Sequence, residues 1–144
     1  MWQWLKLMLL GKAVLVTQGP LDIGPEWQRL TPPAAISALN DGARLSIHMN
    51  AAATLPPTPE ARKALLAERH PKGCVRARLQ SDKDVNVMMR NVAVEATTDD
   101  AYLVLLANKA FPKGEVYNRV WIRATCPLEH VIVKWVNGAK PVVE

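Results

Sequence analysis

Apolar and polar side chains alternate along most of this chain, and the alternation begins only after an apolar leader. In Arg44–Asn50, Leu45, Ile47 and Met49 share one face and Arg44, Ser46, His48 and Asn50 the other, the period of two of a half-buried strand. Cys74–Leu79 repeats the pattern with Val75, Ala77 and Leu79 inward. Val85–Met89 keeps odd positions apolar, whereas Val92, Val94 and Ala96 fall on even ones, so a turn or bulge is expected at Arg90–Asn91. The unbroken run Tyr102–Ala107 predicts a central strand covered on both faces. Val120, Ile122 and Ala124 then alternate with Arg119, Trp121 and Arg123, and Val131–Val136 forms a last strand before the turn signal Asn137-Gly138.

Other elements follow from their end signals. Glu26–Leu30 predicts a short edge strand, because Thr31-Pro32-Pro33 withholds ladder donors directly after it. Ala34–Leu39 predicts irregular structure. Thr58 as N-cap, Pro59 in the first turn and Glu60 behind it predict a helix ending at His70-Pro71, with a narrow stripe of Ala61, Ala64, Leu65 and Ala67. Seven or so short strands with one helix in a connection imply an all-β protein. The expected form is an antiparallel β-sandwich of immunoglobulin-like or jelly-roll topology.

The leader, MWQWLKLMLLGKAVLV, is broken by Lys6 and Lys12 and followed by Gly19-Pro20. As a helix, Trp2–Val16 would reach roughly 22 Å at about 1.5 Å per residue, short of the roughly 30 Å of membrane hydrocarbon. Thr17 and Gly19 make a poor cleavage site before Pro20. The expectation is a retained interfacial anchor, residues 1–19, in which Trp2, Trp4, Leu5 and Leu9 contact the membrane, ahead of a sandwich domain at 20–144. The alternative is that Ala13–Thr17 forms a first core strand.

Composition adds limits. Hydrophobic residues at 49% and charged residues at 22% of 144 exclude wholesale disorder, and eleven prolines keep the elements short. The net charge is +5. Most of it arises in residues 51–78, where Arg62, Lys63, Arg69, Lys72, Arg76 and Arg78 outnumber Glu60 and Glu68; with His70 these cations form a candidate surface for an anion or an acidic partner. No aromatic interleaves these cations within residues 58–78, which argues against nucleic acid. Trp27 and Trp121 are candidates for a ligand platform.

Cys74 and Cys126 lack the pairwise spacing of a metal site and are expected either as a disulfide or as two buried thiols. A disulfide would point to an extracytoplasmic compartment. Phosphate loops, HExxH, GxSxG and DxDxDG are all missing, so neither catalysis nor a cofactor is expected. His48, His70 and His130 are scattered and expected as polar surface residues, and Asp82, Asp84, Asp99 and Asp100 as solvated turn carboxylates. Together these features suggest a non-catalytic, membrane-tethered sandwich on the periplasmic side of a bacterial inner membrane. It would be a protein-interaction or assembly subunit with a protein partner or a second copy of itself. The alternative is a soluble sandwich that binds carbohydrate or another small ligand.

Overall fold

The computed structural model describes residues 13–17, 19–39, 42–49, 55–97 and 100–137. Its strands are β1 (Ala13–Leu15), β2 (Leu21–Ile23), β3 (Gln28–Leu30), β4 (Arg44–Met49), β5 (Val75–Ser81), β6 (Asn86–Ala96), β7 (Ala101–Ala107), β8 (Tyr117–Ala124) and β9 (Leu128–Val136), with helix α1 (Pro59–Arg69) between β4 and β5. All pairings are antiparallel. They form one sheet in the order β1-β9-β4-β7-β6-β5-β8-β3, with β2 also on β9.

That sheet curls into a half-barrel around its own core. Leu45, Ile47, Leu79, Met89, Leu103, Leu105, Ile122, Val133 and Trp135 are at most 1% exposed. Register shifts in the β2–β9, β5–β8 and β6–β7 ladders bend the strands, and the Ala124 amide donates to Gly24 O at 2.8 Å, drawing the end of β2 against β8. The all-β class, the antiparallel pairing and the single helix among the described residues agree with the alternation. Hydrogen bonding nevertheless runs unbroken from β1 to β3, so the strands are not divided between two sheets.

Local expectations fare unevenly. β6 passes through Arg90–Asn91 as one strand, and a bulge between Asn91 and Ala93 moves the inward positions from Met89 and Asn91 to Val94. Residues Leu103–Leu105 of β7 are covered on both faces, but Leu106 is 37% exposed. In α1, Thr58 Oγ1 accepts from the Ala61 amide as an N-cap, but Leu66 rather than Leu65 is the buried anchor. Ile36 bridges Tyr117 inside the segment expected to be irregular.

The leader's last residues join the body. Ala13, Val14 and Leu15 pair with Val136, Trp135 and Lys134, the Val16 amide donates to Val133 O at 2.9 Å, and the Val16 side chain is 1% exposed. These contacts cross the expected boundary at residue 19. Trp2, Trp4, Leu5 and Leu9 lie outside the described residues. Among the described residues no helix is long and apolar enough to cross a membrane.

Candidate functional site

Strand alternation leaves Arg119, Trp121 and Arg123 of β8, Arg76, Arg78 and Gln80 of β5, and Met88 and Arg90 of β6 on the outer face. Register then aligns them. Arg123, Arg76 and Arg90 stand opposite one another in one row, and Trp121, Arg78 and Met88 in the next. Edge strand β3 adds Arg29 opposite Trp121 and carries Trp27 just ahead of it. The Arg78 guanidinium carbon lies 5.2 Å from the Trp121 ring centroid and 5.7 Å from that of Trp27, and Arg123 lies 5.3 Å from Trp27. Trp121 Nε1 donates to Gln80 Oε1 at 3.0 Å, which fixes the indole.

Stacking on an exposed ring gives roughly 0.5–1 kcal/mol per cation, but like charges directly opposite in a sheet repel. Ring contact orders the guanidiniums without neutralising them. Among the described residues, Arg76, Arg78, Arg90 and Arg123 have no carboxylate within ion-pair distance, while Arg119 reaches Asp84 at 4.0 Å on the rim. The surface therefore presents oriented guanidinium edges, suited to bidentate contact with carboxylate or phosphate.

The basic set expected from the sequence is divided. Arg62 donates from Nε to Pro56 O at 2.7 Å and from Nη1 to Thr97 O at 3.0 Å, tying α1 down. His70 is 5% exposed, Lys63, Arg69 and Lys72 are exposed, and only Arg76 and Arg78 belong to the outer face of β5. Arg29, Arg90, Arg119 and Arg123 were missed as members of the surface. The outward parity of Arg119 and Arg123 was visible, but the register was not. Aromatics absent from residues 58–78 reach Arg78 from β8 and from the approach to β3. Trp27 and Trp121 both approach the Arg78 guanidinium, and Trp27 is itself 37% exposed.

A second constellation had no signal in sequence. Ser46 Oγ lies 2.9 Å from His48 Nε2, His48 Nδ1 lies 2.8 Å from Asp100 Oδ2, and the imidazole stacks on Tyr102 at 4.7 Å between centroids. Burial pushes the His48 pKa down and Lys134 adds to this, against the opposing pull of Asp100. The order Ser–His–Asp matches a nucleophilic relay, but Ser46 is 1% exposed and β4 pairs on both sides, with β7 and β9. Its backbone amides are committed to those ladders, so β4 itself offers no oxyanion donor. The contacts tie β4 to the start of β7. His48 is thus half-buried and hydrogen-bonded, and Asp100 is partnered rather than merely solvated.

At the helix exit, Cys74 and Cys126 form a disulfide with Cα atoms 5.6 Å apart. A ring nitrogen of His70 and the two sulfurs lie within 4.8 Å of one another. Burial, with Arg69 nearby, pushes the His70 pKa below its ordinary value. Asn91, buried at the β6 bulge, accepts from the Val75 amide at 3.0 Å and donates to His70 O at 3.3 Å and Pro71 O at 3.2 Å. No protein-family model matches the chain, and comparison with curated proteins and with solved structures gives no significant match.

Proposed function

We propose that the chain is a non-catalytic β subunit, tethered through its apolar leader to a membrane and working on the extracytoplasmic side. On this reading its arginine–tryptophan surface docks the acidic face of a partner protein. One observation carries it: Arg78 clamped by Trp27 and Trp121, beside the row of Arg76, Arg90 and Arg123 that lacks opposing carboxylates among the described residues. Arg, Trp and Met are enriched at protein interfaces, where Lys is depleted, Trp and Arg are prominent among hot spots, and the two rows contain no Lys.

Acidic side chains would relieve the crowding of like charge, and the stacked guanidiniums are already ordered, which lowers the entropic cost of docking. The disulfide supports an oxidising compartment. Trp2, Trp4, Leu5 and Leu9 supply the composition of an interfacial anchor, and tethering raises the effective concentration of partners in the same membrane. We take the curled sheet to present its outer face as the expected sandwich would, with its core on the concave side.

A photo-crosslinking residue in place of Met88, activated in native membranes, tests this. The expected result is a discrete protein adduct that weakens with added salt and is abolished by Arg76→Glu together with Arg78→Glu. No adduct, an adduct to lipid alone, or a protein adduct indifferent to the charge reversals overturns the reading.

A further inference from the structure

We propose that His70, Cys74 and Cys126 form a metal site of the zinc class that becomes available when the Cys74–Cys126 disulfide is reduced. Three separate elements supply the ligands. His70 closes α1 as its C-cap, Cys74 follows the Gly73 turn at φ +83° just before β5, and Cys126 lies between β8 and β9. The Thr125 amide, donating to Cys74 O at 2.9 Å, holds the two cysteine segments together independently of the sulfurs.

Proximity is the first support, since one ring nitrogen and both sulfurs fall within 4.8 Å of one another. Zinc with sulfur at about 2.3 Å and nitrogen at about 2.0 Å sets such atoms roughly 3.5–3.8 Å apart in a tetrahedron. The sulfurs must part and the imidazole must approach by about an ångström, within the reach of side chains in turns. The second support is an orphan: His70 is 5% exposed, and its Nδ1 is buried with no hydrogen-bond partner among the described residues. Native interiors seldom leave such an atom unused.

Asn91 is placed as an outer-sphere residue would be. Its Nδ2 lies 3.8 Å from Cys74 Sγ and also serves the carbonyls of His70 and Pro71, while its Oδ1 holds the Val75 amide. One amide side chain thereby fixes the backbone on both sides of the site, and an N–H directed at a sulfur favours its thiolate. Access exists as well. A cleft of about 320 Å³ lined by Arg69, His70, Pro127 and Glu129 reaches the imidazole from one side, and a hollow of about 190 Å³ lined by Lys72 and Asn91 from the other.

The chemistry balances with a dithiol as reductant. It attacks the disulfide through a mixed-disulfide intermediate, supplies two electrons and two protons, and leaves as its own disulfide, giving two cysteine thiols. Zinc(II) then displaces both thiol protons to solvent. Two thiolates and a neutral imidazole make an electrically neutral unit with the ion, compatible with burial, and one coordination position stays open. In either redox state, the start of β5 and the β8–β9 turn are cross-linked, by the disulfide or by the metal.

The inference is independent of partner docking, and Arg78→Ala should leave it unchanged. The experiment uses the full chain reduced with a phosphine under anaerobic conditions and titrated with cobalt(II), then zinc(II). Expected are one cobalt per chain with thiolate charge-transfer and tetrahedral d–d bands, displacement by zinc, a zinc-dependent rise in the melting temperature of the reduced chain, and no binding by the oxidised chain. Cys74→Ser should abolish the bands. His70→Ala should weaken binding by at least about 100-fold, the upper end of what loss of an outer-sphere partner costs, while keeping its oxidised disulfide and melt. His70→Gln repeats the test with a side chain of similar size. Absent bands, affinity unaltered in both His70 variants, or a reduced chain that unfolds and is not restored by zinc overturns the proposal.

Discussion

Replacing Asn91 should be far more damaging than replacing an average residue, and the structure gives the size. The Val75 amide, on a fully buried residue, donates to Asn91 Oδ1 at 3.0 Å, and Nδ2 serves His70 O at 3.3 Å and Pro71 O at 3.2 Å. Asn91→Ala strands the Val75 amide and the His70 carbonyl, each at about 1–3 kcal/mol, whereas the carbonyl of exposed Pro71 can turn to water. A loss of about 3–5 kcal/mol follows once the vacated space is included. Asn91→Asp separates the contributions. It retains an acceptor for Val75 but sets a second oxygen against two carbonyls, so it should be at least as destabilising near neutrality and partly recover in acid, where the protonated carboxyl can donate. Guanidinium denaturation without reductant, followed by tryptophan fluorescence, reads both variants. An unchanged slope would show that only stability moved. The melting temperature should fall by on the order of 10–20 °C. Asn91→Ala within about 1 kcal/mol of the parent would refute the role assigned to this side chain.

Other consequences are equally open to measurement. Cys126→Ser without added metal should cost about 4 kcal/mol, because the disulfide spans a sequence separation of 52; an unaltered denaturation midpoint would contradict this. His48 is held below its ordinary pKa of 6.5, so the unfolded chain takes up a proton that the folded chain refuses. Its contribution is complete above pH 6.5 and is lost as pH falls through the folded value. His48→Gln should flatten part of the acid limb of a stability–pH profile, and an identical limb would refute the assignment. Starting the chain at Ala13 should preserve the cooperative melt, whereas starting at Pro20 removes β1 and the buried Val16 and should cost at least about 1.5 kcal/mol. Equal melts would deny β1 its place. In the same series, only the full chain should sediment with membranes, and equal partitioning would remove the anchor.

Much of the fold was legible because it is local. Alternation in residues 44–49 and 75–81 decides which side chains face inward whatever lies beside them, and Thr58-Pro59 starts α1 through its own amides. The parity change after Met89 announced the β6 bulge. Less visible was the continuity of the sheet, since the bends that close it arise where two strands meet out of step.

The candidate sites show where local signals end. That Arg76, Arg78, Arg119, Trp121 and Arg123 point outward follows from a period of two within single strands. Which of them become neighbours depends on pairing across 43–47 positions of chain, with Arg78 opposite Trp121 and Arg76 opposite Arg123. The Ser46–His48–Asp100 contacts and the approach of His70 to Cys74 and Cys126 arise in the same way. Side-chain direction is set by the backbone of a few adjacent residues. Proximity between distant segments is settled only when the whole chain offsets loop-closure entropy by burying a common core.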